Sequence, residues 1–274
     1  MHKLFGRLLI LLFFSLGCRT GLIFAQDITI DMYINSWQKS LPVTSHGTMT
    51  ERTILTPGDP LNPSKPGAVL SICKRFSRGL LESHVVTTPL RLSGEQEILY
   101  IVHGKGRIEA GMQKEQLIEG TAVLIPPDLE FTLTNECEEP LELLLLTEPF
   151  PANKTPRKDI LARNYHNLPV NAGGHWSHIV RGFFSGNDGL GVLDAVLVVS
   201  IDGMNIGEPH SHVPGTEEVW YQLKGESILF FGKEIRKQKP GDAYMIPPNN
   251  KVPHSNINPS NEPMQRFYFA KYGK

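Results

Sequence analysis

Four side chains near the end of the sequence have the types and spacing expected of a metal site. His210 and His212 lie two positions apart, so on an extended chain both project to the same side. A glutamate follows at Glu217 or Glu218, and His254 comes from a later segment that can close over the same point. Three imidazoles and one carboxylate suit a divalent Mn, Fe, Ni, Cu or Zn ion. Four protein ligands on a six-coordinate ion leave two positions for substrate, water or dioxygen, so the pattern predicts Lewis-acid or oxygen chemistry on a small molecule.

The framework around these residues occurs twice, 121 residues apart. In each copy a glutamate is followed by a glycine after seven positions, by a second glycine after sixteen more, and by a proline after six more. These residues are Glu97, Gly104, Gly120 and Pro126 in the first copy, and Glu218, Gly225, Gly241 and Pro247 in the second. The repeat predicts two copies of one fold.

Short alternating runs separated by turn residues indicate an all-β fold of two tandem jelly-roll-like β-barrels joined by a short linker. The sequence divides into a signal peptide at residues 1–25, a first barrel at 27–150, a linker at 151–175 and a second barrel at 176–274. Residues 27–34 alternate and predict an opening strand, and residues 157–164 predict one or two helical turns. The basic run at 233–239 predicts the solvent-facing strand of a hairpin.

Only the second copy carries the histidines. Sliding the repeat back places either Pro89 and Arg91 or Leu90 and Leu92 at the two neighbouring histidine positions, and Phe131 or Leu133 at the third. None of these side chains is a plausible metal ligand. Glu97 keeps its place, so we expect a neutralised or salt-bridged carboxylate in a first barrel that holds no metal.

The two motifs of the second copy resemble those of the cupin superfamily. The family's first motif is G, five residues, H-x-H, three or four residues, E, six residues, G, and its second is G, five residues, P-x-G, two residues, H, three residues, N. The matching residues are His210, His212, Gly225, Gly241, Pro247, His254 and Asn258. Met204 and Asn249 stand where the family has glycine, and two extra residues precede the last histidine. The resemblance covers roughly residues 190–270 and, in weaker form, 85–147, as in a bicupin.

Counting from the second histidine, the family spacing selects Glu217, whereas counting back from the glycine selects Glu218. An insertion of one residue in the turn at 213–216 reconciles the two counts and favours Glu218. The same resemblance implies a metal-dependent dioxygenase, isomerase or lyase acting on a small oxygenated or carboxylated substrate. The alternative is a non-catalytic module that binds a sugar or an organic acid, or a structural cupin. Oxalate-decarboxylase-like bicupins usually carry a metal in both domains, so a single loaded site counts against that activity, and cupins commonly pair as homodimers.

Three polar side chains near the ligand positions are candidates for a catalytic acid, base or hydrogen-bonding group: Tyr221, Gln222 and Tyr244. We expect one of them to face the pocket, and the choice depends on which glutamate is the ligand, because strand residues alternate in direction. Trp220 is expected to pack in the core. The histidines at 46, 166, 175 and 178 are interpreted as loop or linker residues, with the pocket rim as the alternative for His178.

The first residues predict export from the cytoplasm. Lys3 and Arg7 precede an apolar stretch at 8–16 that is too short to span a bilayer, as in a cleaved signal peptide. Cleavage after Ala25 would release a soluble protein, whereas the segment ending at Cys18 resembles a bacterial lipobox and would give a lipid-anchored one. Both outcomes place the mature protein in the periplasm or outside the cell.

Charge and cysteine content limit the kinds of partner and the covalent cross-links that we expect. The net charge is −1, and loss of residues 1–25 removes three basic residues and no acidic one, which makes it more negative. With no basic stripe, nucleic acid is not an expected partner, and no segment after the signal peptide is apolar enough to cross a membrane. Cys73 and Cys137 are predicted to form a disulfide or to remain as two buried thiols.

Overall fold

The computed structural model describes residues 29–171 and 175–274. The predicted signal peptide and Cys18 lie outside these residues. The strands are β1 (Ile34–Ser36), β2 (Val43–Ser45), β3 (Met49–Pro57), β4 (Ala68–Leu70), β5 (Arg75–Leu81), β6 (Glu95–His103), β7 (Lys105–Ala110), β8 (Gln113–Ile118), β9 (Thr121–Ile125), β10 (Phe131–Thr134) and β11 (Leu141–Pro149). They continue with β12 (Leu161–Asn164), β13 (Ile179–Ser185), β14 (Ala195–Ile201), β15 (Glu217–Lys224), β16 (Ser227–Phe231), β17 (Glu234–Gln238), β18 (Asp242–Met245), β19 (His254–Ile257) and β20 (Met264–Lys271). The helices of the described residues are four short 3₁₀ segments, Ile30–Tyr33, Trp37–Lys39, Tyr165–Asn167 and Gly186–Asp188.

The predicted all-β architecture of two barrels is confirmed. The first barrel has a large sheet in the order β12-β9-β6-β11-β5-β3-β2, with β4 beside β3, facing a small sheet β10-β7-β8. The second has a large sheet in the order β1-β18-β15-β20-β14-β13, facing a small sheet β17-β16-β19. The predicted hairpin of the basic run is β16-β17, where Phe231 pairs with Glu234. No helix among the described residues has the length and hydropathy needed to cross a membrane.

The two copies of the framework fold alike. In the first barrel the Asn135 side-chain amide donates to the backbone oxygens of Leu81, Glu82 and Glu139. In the second, Asn258 donates in the same way to Ile201, Asp202 and Glu262. Each asparagine therefore ties the end of its barrel by satisfying three backbone carbonyl groups.

Two local predictions are wrong. Residues 30–33 form a 3₁₀ helix and only Ile34–Ser36 is a strand, because Ile30 and Tyr33 are three apart and fall on one buried side of a helix with three residues per turn. Residues 161–164 form β12, because the edge of β9 is open to pairing with them. These strands also cross the predicted boundaries: β1 joins the sheet of the second barrel, and β12, from the predicted linker, joins the sheet of the first.

The barrels share one apolar core. Rings from both halves meet in it, with Phe76 and Phe269 centroids 5.0 Å apart and Tyr100 and Phe267 centroids 5.1 Å apart. The interior of the first barrel is a separate cluster that includes Leu99, Ile101, Leu143 and Leu145. Cys73 and Cys137 are free thiols, the first buried and the second half-buried, so the structure contains no disulfide between them.

Each barrel supplies a buried carboxylate to a loop of the other. Glu217 accepts hydrogen bonds from the backbone N–H groups of Ser71 (2.6 Å), Ile72 (2.6 Å) and Cys73 (2.9 Å). Glu148 accepts in the same way from three consecutive N–H groups, those of residues 191, 192 and 193. This exchange helps to fix how the two barrels pack, because both carboxylates are fully buried and each accepts three backbone N–H groups from the other barrel.

We predict that Glu217→Ala lowers the free energy of unfolding by about 3 kcal/mol, because three backbone amides lose their acceptor at a buried interface. Urea unfolding at neutral pH measures the effect. Glu115→Ala, on an exposed position of β8, is the matched control and should change stability by less than about 0.5 kcal/mol. An equal, small effect of both substitutions would contradict the role given to Glu217.

Candidate metal centre

Backbone pairing places two of the three histidine rings side by side. The backbone N–H of His210 donates to the backbone oxygen of His254 (3.2 Å), and the backbone N–H of His254 donates to the backbone oxygen of His210 (2.8 Å). The two ring centroids lie 4.4 Å apart, and the His212 ring lies 4.9 Å from each. A single β-bridge between His210 and His254 on β19 therefore brings these two rings together. His212 lies in a segment without regular secondary structure.

Alternation along β15 decides between the two glutamates. Glu218 points into the second barrel, whereas Glu217 points to the loop of the first barrel described above. The turn before β15 includes Gly215 at φ +86° and closes with a hydrogen bond from Thr216 N–H to the Val213 oxygen (3.2 Å). Among the described residues, His210, His212, Glu218 and His254 bring four ligand atoms within 4.8 Å of one another.

Two of the imidazoles are oriented by backbone carbonyls. Nδ1 of His210 lies 2.9 Å from the Glu208 oxygen, and Nδ1 of His254 lies 3.1 Å from the His210 oxygen. A carbonyl oxygen only accepts, so Nδ1 carries the hydrogen in both rings. Their Nε2 lone pairs are therefore left for an ion, which is the usual arrangement behind a metal-binding histidine.

The Glu218 carboxylate is held by hydrogen bonds on both of its oxygens. Oε1 accepts from Trp220 Nε1 (2.7 Å) and lies 3.0 Å from His212 Nε2, while Oε2 accepts from the Tyr268 hydroxyl (2.8 Å). The side chain is 4% exposed. Trp220, expected in the core, therefore also orients the carboxylate.

The protonation states are those that a metal requires. Burial raises the pKa of the Glu218 carboxyl, but the adjacent imidazoles of His212 and His254 outweigh it and hold the pKa well below the usual value. Burial lowers the pKa of His254 to about 4 and also lowers the pKa of His210. At neutral pH the carboxylate is ionised and these imidazoles are neutral. A six-coordinate ion with bonds near 2.1 Å needs ligand atoms about 3 to 4.2 Å apart, which the cluster can provide, so the four residues fit a divalent metal.

A cavity of about 360 Å³ opens beside the cluster. Its wall is partly apolar, with Val180, Leu197 and Val199 from β13 and β14 together with Trp220. Four side chains that can exchange protons also line it: His175, His178, Tyr268 and Tyr272. The volume is sufficient for a small organic ligand in contact with the metal position.

None of the three predicted catalytic candidates lines this cavity. Tyr221 faces the first barrel, where its hydroxyl accepts a hydrogen bond from Arg78 (3.0 Å), because it shares the outward side of β15 with Glu217. Gln222 faces inward but lies deeper, where its amide donates to the backbone oxygens of Lys224 and Gly225. Tyr244 is buried behind His254 and donates to Asn256 Oδ1 (2.7 Å).

The side chains that do surround the cluster were largely missed from the sequence. His178, which directly precedes β13, is buried, and its Nε2 has no hydrogen-bond partner among the described residues. The His175 ring stacks on the His210 ring with centroids 4.4 Å apart. Tyr268 and Tyr272 are joined by a 3.1 Å hydrogen bond. Tyr268 lies on β20 and Tyr272 directly follows it, but only the pairing of β20 with β15 reveals that Tyr268 lies opposite Trp220.

The first barrel has apolar residues in place of the three histidines. Leu90 and Phe131 form the isolated bridge that corresponds to His210 and His254, so the predicted alternative with Leu90 and Leu92 is the correct one. Glu97 is fully buried and is paired with Arg75 and with His46 Nε2 (3.0 Å). Burial raises the Glu97 pKa, but His46 and Arg75 outweigh it and the pKa is lowered. The expected salt-bridged carboxylate is present, and His46, interpreted as a loop residue, is one of its partners.

Comparison with known proteins agrees with this geometry. Residues 197–268 match the family model of the cupin domain. Similar folds include a variant of oxalate decarboxylase from Bacillus subtilis (TM-score 0.66, 15% identity, 90% of this chain and 78% of that chain).

The chain has a bicupin-like fold.

Other solved structures share this two-barrel fold over most of the length of the chain. Protein Ylba from E. coli has a TM-score of 0.67 at 15% identity and covers 93% of this chain and 97% of its own. AerE from Microcystis aeruginosa has a TM-score of 0.66 at 13% identity, with 88% and 100% covered. No curated protein sequence matches the chain.

We predict that His178 makes the metal-free protein less stable in acid. Burial, with a contribution from His175, lowers the His178 pKa to about 4, whereas the unfolded value is about 6.5. Between these values the unfolded chain binds more protons, so stability falls as the pH decreases, by about 1.4 kcal/mol per pH unit. His178→Gln should remove this contribution, roughly 3 kcal/mol at pH 4.

Urea unfolding of the metal-free protein at pH values from 4.5 to 7.5 measures the slope. His103→Gln, at an exposed position beside Glu139, should keep the slope of the unaltered chain. If His178→Gln keeps that slope as well, the buried neutral state of His178 is refuted.

Proposed function

We propose that this bicupin binds one divalent transition-metal ion through His210, His212, Glu218 and His254, and that it is a metalloenzyme acting on a small oxygenated or carboxylated molecule. The observation that carries the proposal is the convergence of three imidazoles and one ionised carboxylate beside a cavity. Such an ion, with positions left for a ligand, polarises a carbonyl or carboxylate or organises dioxygen with an enolic substrate. The donor set suits Mn, Fe, Ni, Cu or Zn and does not choose among them.

The residues around the ion position the ligand atoms, exclude water and hold a proton near a bound molecule. Glu218 and the carbonyl-bound histidines fix the ligand atoms, so little reorganisation is needed when an ion binds. The aliphatic wall and Trp220 exclude water from the bound molecule. Tyr268 is fixed against Glu218 at the edge of the cavity, where its hydroxyl can hold a proton close to a bound ligand.

Titratable groups in the cavity wall favour an enzyme over a passive binding module. A binding module needs complementarity alone, whereas proton transfer needs a titratable group within reach of the reacting atoms. His175, His178, Tyr268 and Tyr272 supply four such groups in one cavity. Dioxygenase, isomerase and lyase chemistry all use this combination, and the single complete ligand set disfavours a mechanism that requires a metal in each barrel.

We further propose that the mature protein is exported, as the first 25 residues indicate, and that it acts in the periplasm or outside the cell, either soluble or attached through Cys18. We also propose a homodimer, because proteins with the cupin fold commonly form homodimers.

Metal content tests the proposal directly. We expect about one equivalent of a transition metal per chain by inductively coupled plasma mass spectrometry, and less than a tenth of that in His210→Ala/His212→Ala. The matched control is His84→Ala/His103→Ala, which removes two exposed histidines of the first barrel and should retain the metal. Failure of the unaltered chain to bind any of the five metals after reconstitution would refute the metal site.

A substrate screen separates the enzyme from the binding module. The reconstituted protein is incubated with 2-hydroxy acids, diketones, enediols and catechols, with and without dioxygen, and consumption is followed by mass spectrometry. We predict that at least one class is consumed by the unaltered chain and not by His210→Ala/His212→Ala. Binding of these molecules without consumption would support the non-catalytic module.

A further inference from the structure

The interior of the second barrel contains an arginine without a counter-ion. Arg266 on β20 is 1% exposed. Its Nη2 donates to the Ser227 hydroxyl, whereas Nε and Nη1 are buried and have no hydrogen-bond partner among the described residues. Its guanidinium carbon lies 5.3 Å from the ring centroid of Tyr244. No carboxylate of the described residues forms an ion pair with it.

The repeat shows that the fold does not require this charge. Arg266 lies opposite Gln222 on β15. In the first barrel the corresponding pair is Leu143 opposite Ile101, and both side chains are part of that barrel's apolar interior. An aliphatic residue therefore fills the position in one copy of the same architecture, and the charged one occurs only in the barrel that has the ligand set.

An unpaired buried charge is costly for folding. Replacing buried ionic groups with apolar residues of similar volume is often neutral or stabilising. Arginine stays protonated at neutral pH even when burial lowers its pKa, because its ordinary pKa is far above 7. A destabilising charge that is kept in one barrel alone is characteristic of a functional position.

The position of Arg266 relates it to the cavity. Its strand neighbour on β14 is Val199, and Tyr268 follows two residues later on the same inward side; both line the cavity. The guanidinium therefore lies behind the cavity wall. Tyr244, over which it is placed, has its ring 6.4 Å from the His254 ring.

The charges around the cavity then sum to a positive value when an ion is bound. A divalent ion contributes two positive charges, Glu218 removes one, and Arg266 adds one. A unit charge about 10 Å away, at an effective dielectric constant of about 20, changes a binding constant roughly tenfold or more. A ligand that carries negative charge gains from this field, and a neutral one does not.

We propose that Arg266 is a specificity-determining residue whose uncompensated charge makes the metal-loaded cavity select an anionic ligand, such as a carboxylate or an enolate, over a neutral molecule. This inference rests on the proposed metal site and narrows its substrate class. The guanidinium acts through the field that it creates, and it does not coordinate the ion.

The test compares an anionic with a neutral metal ligand. The protein is loaded with Co²⁺ and titrated at pH 8.5 with azide and with imidazole, while the visible absorption of the Co²⁺ ion reports binding. In Arg266→Leu we expect the azide dissociation constant to rise about tenfold and the imidazole constant to change less than twofold. Arg266→Lys keeps the charge and should keep the azide constant within about threefold of the original value. Lys224→Met removes an exposed positive charge from β15 and should change neither constant.

The metal-free protein gives a second readout that is independent of the ion. The melting temperature of Arg266→Leu should equal or exceed that of the unaltered chain, whereas a fall of several degrees would show that the guanidinium serves the fold and would overturn the inference. An unchanged ratio of the azide and imidazole constants, with one Co²⁺ bound, would overturn it while leaving the metal site intact. Failure of the unaltered chain to bind Co²⁺ would refute the proposed function and remove the basis of the inference with it.

Discussion

The negative charge of a carboxylate that is removed from water must be compensated. Both barrels bury a glutamate at the corresponding position of corresponding strands, β6 and β15. In the second barrel Glu218 is surrounded by His212, His254, Trp220 and Tyr268, an arrangement that leaves room for a cation among the imidazoles. In the first barrel Glu97 is compensated within the protein by Arg75 and His46. The two barrels differ in how this charge is compensated. The second barrel has a group of ligands that fits a divalent cation, whereas the first barrel compensates its glutamate with its own side chains.

Because Arg75 and His46 compensate Glu97, the first barrel needs no metal ion and can serve as a structural domain. Its interior is apolar at the positions where the second barrel has Trp220, Gln222, Arg266 and Tyr268. The two barrels are then joined by β1, by β12 and by the reciprocal carboxylates Glu217 and Glu148, so the second barrel is held by contacts outside its candidate metal site. We expect a rigid scaffold of this kind to keep the four ligand atoms in place before an ion binds.

The sequence was most informative where spacing alone determines geometry. The duplicated framework predicts the two barrels, and the histidine pair with Glu218 and His254 predicts the cluster that the structure brings together. It was least informative where the outcome depends on which strands pair. Tyr221 was a reasonable catalytic candidate by type, but the parity of β15 directs it to the barrel interface along with Glu217. His178 and Tyr268 reach the cavity only because β13, β14, β20 and β15 are neighbours, and single-sequence periodicity does not contain that order. His46 was missed for the same reason, since its partner Glu97 lies 51 positions further along the chain.

Anomalous diffraction from crystals grown with Mn²⁺ and with Zn²⁺ tests the central claim most directly, because it locates every bound ion without assuming an activity. The account predicts a single strong peak per chain, bonded to the Nε2 atoms of His210 and His254, to His212 and to Glu218, with density for Arg75 against Glu97 in the first barrel. A peak at Glu97, or no peak beside Glu218 with either metal, would contradict it.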